Sequence, residues 1–273
     1  MKVSDFKDQF EKYSETVMPA LFVGHGNPMN AIEDNEFSRE WEVIGKELLS
    51  PEARPKAILC VSAHWQTHGT RVGAMEKPKT IHDFYGFPKE LFAVEYPAKG
   101  SPDFAVQTQQ AITKSKAELD FEWGLDHGCW SVLRRMFPEA NIPTFQLSLN
   151  YDAVPQEHYE IALQLKELRK KGVLIIGSGN IVHNLRLVKW EDGAFDWAIQ
   201  FDQKIKSLIE KGDDQSIVNY NQLGKEASLS IPTNEHYLPL LYSLALRKKT
   251  DDISFFNEKV TMGSVSMRSL KLG

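Results

Sequence analysis

The segment ALFVGHGNPM, residues 20–29, is an apolar run that ends in a histidine, His25, between Gly24 and Gly26. The letters ALFVG predict a strand over residues 20–24 that is covered on both of its faces. A strand that only fills a core does not need a histidine where it ends, and flanking glycines allow backbone conformations and close approaches that side chains block. The segment therefore predicts a buried strand that delivers an imidazole to the edge of a sheet.

Short apolar runs alternate with helical patterns along the rest of the chain. Strands are predicted over residues 20–24, 56–62, 142–148 and 173–177, and the segment VSMRSLKLG near the end predicts a closing strand. Helices are predicted over residues 35–49, 102–118, 128–136, 156–171, 195–211 and 235–247. This alternation is typical of an α/β fold, here a single domain with a central, mostly parallel sheet flanked by helices. We expect an N-terminal extension over residues 1–17, one domain over 18–273, and a ligand site at the carboxyl ends of the strands.

The composition excludes several classes of partner. The chain has 273 residues, of which 42% are hydrophobic and 25% charged, and its formal net charge is −5. Because the basic residues are dispersed, we expect no nucleic acid and no membrane surface as a partner. No segment reaches the roughly 20 apolar residues of a membrane span, and the charged N-terminus lacks the apolar core of a signal peptide, so we expect a cytoplasmic protein. Nothing in the sequence indicates an oligomeric state.

Five of the eight histidines lie in settings rich in glycine or asparagine near predicted strand or helix ends. They are His25, His64, His127, His183 and His236. A single histidine near a strand end is more often a hydrogen-bonded structural residue than a ligand. Five such settings favour a metal site, since imidazole binds Zn, Fe and Cu well and short polar neighbours can orient each ring. The chain has no compact metal signature such as HExxH.

A dense aromatic and polar loop, TIHDFYGFP at residues 80–88, has two interpretations. It is either a packed loop with aromatic anchors or a pocket wall that covers a flat ring. On the second interpretation His82 and Tyr85 contact substrate, and Trp65, which follows His64, stacks on the same ring. Core packing explains Trp65 equally well.

Six motifs together resemble the LigB-type (class III) extradiol dioxygenases, and within them the DOPA-dioxygenase branch. They are MPALFVGHGNPM, ILCVSAHW, TIHDFYGFP, DHGCWSVL, LIIGSGNIVHNL and PTNEHYLPLL. They follow the family's order from Met18 to about Leu241, so the resemblance covers nearly the whole chain. It implies that residues 18–273 form an extradiol dioxygenase catalytic domain.

The resemblance implies metal ligands at His25, His64 and His236. Glu235 is the alternative to His236, because a glutamate occupies a comparable ligand position in the wider family. His183 matches a position that is a metal neighbour in one branch and an acid–base residue in more distant members. We therefore predict His183 both as a metal ligand and as a catalytic residue. His127 matches a histidine that faces substrate, and we expect it to assist catalysis.

The implied reaction is ring opening of a catechol such as L-DOPA, by 4,5-extradiol cleavage with O2. Because O2 reacts poorly with a catechol unaided, activity is expected to need a redox-active divalent metal, Fe(II), although Zn(II) fits the same ligands and is possible as the bound ion. One alternative is a zinc-dependent hydrolase on the same histidines, in which the metal lowers the pKa of a bound water. The other is a non-enzymatic metal-binding relative.

Overall fold

The computed structural model of the protein describes residues 17–51, 53–189 and 193–273. The expected N-terminal extension lies outside these residues except for its last one, Val17. The strands are β1 (Ala20–Gly24), β2 (Ala57–Thr67), β3 (Thr70–Gly73), β4 (Ala117–Asp120), β5 (Thr144–Asn150), β6 (Val173–Gly179), β7 (Ile253–Phe256), β8 (Val260–Thr261), β9 (Val265–Ser266) and β10 (Ser269–Leu272). The helices are α1 (Glu36–Leu48), α2 (Lys89–Phe92), α3 (Pro102–Ala111), α4 (His127–Met136), α5 (Pro155–Leu163), α6 (Lys166–Lys170), α7 (Asp196–Lys211), α8 (Asp214–Val218), α9 (Lys225–Ser230) and α10 (Leu238–Ala245).

Eight strands form one sheet in the order β4-β3-β5-β2-β6-β1-β10-β7. The pairs β1–β6, β6–β2, β2–β5 and β3–β4 are parallel, whereas β3–β5, β1–β10 and β10–β7 are antiparallel. The prediction of an α/β domain with a mostly parallel sheet flanked by helices is therefore confirmed. The predicted closing strand is present as β9 and β10, and β10 joins the sheet antiparallel to β1.

The central strands are buried on both faces because the sheet separates two apolar cores. In β1, Phe22 packs into one core and Leu21 into the other, as the two-residue period of a strand requires. Helices α7 and α10 cover the Phe22 face, while Trp41 of α1 and Trp130 of α4 cover the Leu21 face. Complete burial of one such large apolar side chain stabilises a fold by about 1.5–3 kcal/mol. No helix in the described part of the chain is both long and apolar enough to cross a bilayer.

Three of the predicted helices have different bounds in the structure. The helix predicted over 102–118 ends at Ala111, and Ala117–Asp120 pairs instead with β3 as an edge strand. Its sequence, AELD, favours a helix, so here strand pairing overrides local propensity. The helix predicted over 156–171 is interrupted between α5 and α6, and the one predicted over 235–247 begins only at Leu238. The late start of α10 matters, because it leaves His236 in a turn.

Candidate metal centre

The carboxyl ends of three parallel strands meet at one edge of the sheet. Gly24 of β1 pairs with Gly179 of β6, and Ser62 of β2 pairs with Ser178 of β6. Side chains that follow these positions therefore converge, as ligand sites in parallel sheets do. His25, the residue after Gly24, lies at this edge.

His25 is held by the backbone and by a serine. Its amide donates to the carbonyl of Gly179 (3.1 Å), and its Nδ1 lies 3.0 Å from Ser178 Oγ. Gly26 has φ +57°, and a Cβ at that position would lie 2.3 Å from Met267 Sδ. The glycine after His25 thus permits both a left-handed turn and a close packing contact. This is the backbone role that the GHG sequence predicts.

His64 lies inside β2 rather than after it, which corrects the predicted strand end at residue 62. The pairing of β2 with β5 shifts register between Val61 and Gln66, and an irregularity of this kind re-aims a side chain out of the regular alternation. His64 Nε2 lies 3.2 Å from His25 Nε2, while its Nδ1 lies 3.5 Å from Asp83 Oδ2.

His236 completes the group from the turn before α10. Its carbonyl accepts from the amide of Asn180 (2.8 Å), which fixes the turn against the end of β6. Its Nδ1 lies 3.0 Å from Glu235 Oε1, and its ring centroid lies 5.3 Å from that of His25 and 5.0 Å from that of His64. A carboxylate on the second ring nitrogen of a ligating histidine is a common device for orienting it. Between the two candidates for the third ligand, His236 therefore lies in the group and Glu235 supports it.

The donor set fits a metal ion. One nitrogen from each of His25, His64 and His236 lies within 4.8 Å of the others. Two nitrogens bound to one ion at about 2.0–2.1 Å with tetrahedral angles are about 3.3 Å apart, close to the observed 3.2 Å. The second nitrogen of each ring faces Ser178, Asp83 or Glu235. The chemistry and the spacing are those of a three-histidine metal site.

Burial keeps these imidazoles neutral. Burial, and then repulsion from His64, holds the pKa of His25 well below its ordinary value. Burial followed by repulsion from His183 does the same to the pKa of His236. Burial together with repulsion from His127 lowers the pKa of His64 to about 3. A neutral imidazole has the free lone pair that a metal ligand needs.

His183 lies beside the group, stacked on one of its members. Its ring lies parallel to that of His236, with centroids 3.5 Å apart and an angle of 11° between the planes. A nitrogen of His183 lies within 4.8 Å of donor atoms of Glu235 and His236, but His25 and His64 do not belong to that set. His183 thus lies next to His236 and Glu235, and its role as a metal ligand stays a prediction.

His127 is the first residue of α4 and faces the group from the other side. Its ring centroid is 3.9 Å from that of His64, and its Nδ1 is 2.9 Å from Asp83 Oδ2. Burial acts to raise the pKa of Asp83, but hydrogen bonding to His127 and the nearby charges outweigh it and lower that pKa. The helix start is fixed by Asp126, whose carboxylate accepts from the amide of Cys129 (3.1 Å) and from Ser62 Oγ (2.6 Å).

A cavity of about 380 Å³ opens above these histidines. Its apolar wall has two parts. One part consists of Phe84, Tyr85 and Phe87, and the other consists of Leu185, Met262 and Val265. Tyr85 lines this cavity and is 91% exposed at its mouth. Aromatic and apolar walls around a few polar groups are typical of small-molecule sites.

Two of the expected substrate contacts lie elsewhere. His82 packs against Phe84 and Trp130 outside the cavity, and its Nε2 lies 2.9 Å from the carbonyl of Val94. Trp65 is 2% exposed and stacks on Trp123, with ring planes 2° apart, so it belongs to the packed interior. Trp65 follows the cavity-lining His64 in β2, where successive side chains point to opposite faces of the sheet.

Comparison with known proteins shows the family of this chain. Residues 19–249 match the model of the catalytic LigB subunit of aromatic ring-opening dioxygenase. The chain belongs to the LigB family. A protein of Escherichia coli K12 named 4,5-DOPA dioxygenase extradiol is 46% identical over 267 residues, which cover 95% of this chain and 96% of the relative. A Beta vulgaris protein of the same name is 33% identical, covering 94% and 97%.

A solved structure agrees with these sequence matches. The crystal structure of an uncharacterized protein from Escherichia coli K12 has a TM-score of 0.81 and 41% identity, covering 94% of this chain and all of that one. The LigB chain is accordingly an oxidoreductase, an extradiol ring-opening dioxygenase. LigB dioxygenases bind a metal through histidines, and the His25–His64–His236 group supplies such a set.

Sequence reasoning included Asp83 in the candidate pocket wall without assigning it a role, and it missed the far wall of the cavity. Asp83 directly follows His82 in the quoted loop, so an acid beside a histidine in an aromatic loop was an available signal. Leu185, Met262 and Val265 come from segments distant in sequence and carry no polar signature. Only the tertiary structure brings them to the cavity.

Proposed function

We propose that this LigB enzyme opens the ring of a catechol of the L-DOPA type by 4,5-extradiol cleavage, with Fe(II) held by His25, His64 and His236. The observation that carries the proposal is the convergence of three imidazoles at the floor of an apolar cavity. The names of the relatives in Escherichia coli and Beta vulgaris supply the substrate.

The cavity suits one aromatic ring. Its volume of about 380 Å³ is near the lower end of the roughly 300–1,000 Å³ of small-molecule sites. Phe84 and Phe87 form a wall on which a flat ring packs with its edge or face. A catechol held there points its two hydroxyls towards the histidines and its substituent towards Tyr85 at the mouth.

Fe(II) is the proposed ion because iron held by His25, His64 and His236 would supply the redox chemistry that O2 needs to react with a diol. Zn(II) fits the same nitrogens but has no redox chemistry, so a zinc-loaded protein is expected to be inert as a dioxygenase.

His183 and His127 are proposed to move the protons. A diol must lose a proton as it binds, and ring opening needs a proton returned to oxygen. Both rings border the cavity, His127 next to His64 and His183 stacked on His236. An imidazole accepts a proton at one ring nitrogen and donates from the other, which suits the positions of His127 and His183 in the cavity wall.

The test is anaerobic loading of the protein with Fe(II), addition of L-DOPA and then of air. We expect O2 uptake and a yellow ring-opened product with Fe(II), and neither with Zn(II). No O2 uptake over a panel of catechols with iron bound would contradict the proposal. Ester or amide hydrolysis with Zn(II) and without O2 would instead indicate the hydrolase.

His183→Ala separates chemistry from metal binding. If His183 transfers protons, this variant binds Fe(II) like the wild type and loses turnover by roughly 100-fold or more, the usual contribution of an acid–base residue. Weak Fe(II) binding by this variant would indicate a ligand instead.

A further inference from the structure

Among the described residues that line the cavity, Asp83 is the only carboxylate. It lies next to His64, a proposed metal ligand, and next to His127, a proposed catalytic histidine. Its Oδ2 lies 2.9 Å from His127 Nδ1 and 3.5 Å from His64 Nδ1. Its Oδ1 accepts from the backbone amide of His127 at 2.9 Å. Asp83 therefore contacts His127 through both of its oxygens, and it approaches His64 only at a distance too long for a hydrogen bond.

The loop holds Asp83 firmly at this place. On one side of it, His82 Nε2 lies 2.9 Å from the carbonyl of Val94. On the other side, the ring of Phe84 packs edge-on against His127, with centroids 5.5 Å apart. Trp130 Nε1 donates to the carbonyl of Ile81 (2.8 Å), which ties the loop to α4. The Asp83 side chain is only 19% exposed.

His127 has no second acceptor for its Nδ1. That nitrogen is fully buried and makes no well-aligned hydrogen bond in residues 17–51, 53–189 and 193–273, and the charged group in contact with it is Asp83 Oδ2 at 2.9 Å. A neutral imidazole carries its proton on one nitrogen, and the hydrogen bond on that nitrogen selects the tautomer. A carboxylate can only accept, so Asp83 places the proton on Nδ1. His127 lines the cavity, which leaves Nε2 without a proton on the cavity side.

We propose that Asp83 is a positioning residue that holds His127 in its Nδ1–H tautomer, so that Nε2 accepts a proton from the bound diol. The inference deepens the proposed dioxygenase function and rests on it for the identity of the proton donor. The tautomer itself is a property of the metal-free chain. It can be measured without substrate, metal or turnover.

Asp83→Asn is the variant that reverses the tautomer with little change of shape. The oxygen of the new carboxamide keeps the bond from the His127 amide, so its NH2 group takes the place of Oδ2 and donates towards Nδ1. The proton of His127 then moves to Nε2. Asp152→Asn is the matched control, because Asp152 lies 3.0 Å from Nδ1 of His68, a histidine whose side chain is 83% exposed.

The primary measurement is the 15N spectrum of histidine-labelled, metal-free protein at neutral pH, with the His127 signal assigned by its loss in His127→Ala. We expect the Nδ1–H form in the wild type and in Asp152→Asn, and the Nε2–H form in Asp83→Asn. A wild-type His127 in the Nε2–H form would overturn the proposal, and so would an Asp83→Asn spectrum unchanged from the wild type. Because the wild-type spectrum alone tests the tautomer, poor folding of a variant does not remove the test.

Kinetics of the Fe(II)-loaded enzyme show which histidine Asp83 acts through. If Asp83 acts through His127, Asp83→Asn lowers kcat by about 10–100-fold and leaves KM and the iron content near their wild-type values. In the His127→Ala background, Asp83→Asn then changes kcat by less than about twofold, because the effects of residues that act as one unit are not additive. If the kcat losses of the two substitutions instead multiply and the iron content falls, Asp83 acts through His64. That result would overturn the proposal. An inactive wild type with the expected tautomer would instead contradict the proposed function.

Discussion

Two buried polar groups occupy opposite ends of strand β1, and they differ in how completely they are paired. At the amino end, Arg169 is fully buried, and its guanidinium donates to the carbonyls of Met18, Leu246 and Leu272 and to the Asp251 carboxylate. At the carboxyl end, the neutral imidazoles of the metal centre turn nitrogens towards one another, 3.2 Å apart for His25 and His64.

The contrast separates a structural polar group from a functional one. A buried charge is tolerated when it is hydrogen-bonded, and all three guanidinium nitrogens of Arg169 donate to backbone carbonyls or to the Asp251 carboxylate. The facing nitrogens of His25 and His64 can share at most one hydrogen bond with each other, whereas a bound cation would accept a lone pair from both. The histidine group is thus suited to bind a cation, while Arg169 is paired within the chain.

The largest effect on stability is expected for Arg169→Met. The variant leaves Asp251 and three carbonyls without their buried donor, and breaking a buried ion pair in this way costs about 3–5 kcal/mol of unfolding free energy. Chemical denaturation of the metal-free protein measures it. The iron content of the folded fraction is expected to stay unchanged. Arg39→Met, which removes an exposed pair with Asp34, is the control and should not shift the transition.

His158 is a buried imidazole outside the metal centre, and it shows what burial does to a histidine that has no other histidines around it. It is fully buried on α5 with Nδ1 3.1 Å from the hydroxyl of Tyr242, and burial lowers its pKa to about 4. Because the unfolded state binds the proton first, the stability that neutral His158 permits is complete above about pH 6.5 and is lost as the pH falls towards 4, by about 3 kcal/mol in total.

His158→Gln should remove this part of the acid sensitivity. Denaturation of the metal-free variant and wild type at several pH values between 7 and 4 gives the difference directly. A difference between the two proteins that stays constant over this range would show that His158 does not titrate as its burial predicts.

Glu235→Gln sharpens the contrast at the metal centre itself. If Glu235 orients His236 without binding the ion, its loss weakens Fe(II) affinity by about 10–100-fold, as is usual for a carboxylate behind a ligating histidine. His236→Ala should weaken the affinity further. Competition with a chromogenic chelator ranks the two variants, and the opposite ranking would make Glu235 the ligand.

The smallest effect is expected at the mouth of the cavity. Tyr85→Ala removes an exposed ring that, in the proposed binding mode, would contact only the substituent of a catechol. KM should therefore rise about two- to fivefold with kcat nearly unchanged, since such a contact is the same in the ground and transition states. Tyr151→Ala, at an exposed tyrosine outside this cavity, is the control. A fall in kcat without a change in KM would assign Tyr85 to the chemistry.

The sequence predicts the parts of the molecule that depend on local pattern. The run before His25 predicts β1 with its observed bounds, since a strand covered on both faces is apolar throughout. The turn at His236 and the in-strand place of His64 could not be predicted, because a late helix start and a shift of strand pairing are set by tertiary contacts. Asp83 shows the same limit, since its importance lies in the ring it faces 44 residues later in the chain.

The most direct test of the metal centre is an anaerobic Fe(II) titration of metal-free wild type, His25→Ala and His68→Ala, with circular dichroism as the check on folding. Three converging nitrogens predict about one tightly bound ion per chain in the wild type and in His68→Ala, whose histidine is exposed. They predict at least about 10–100-fold weaker binding in a folded His25→Ala. Equal Fe(II) affinity in His25→Ala and the wild type would contradict the assignment of this edge of the sheet as a metal site.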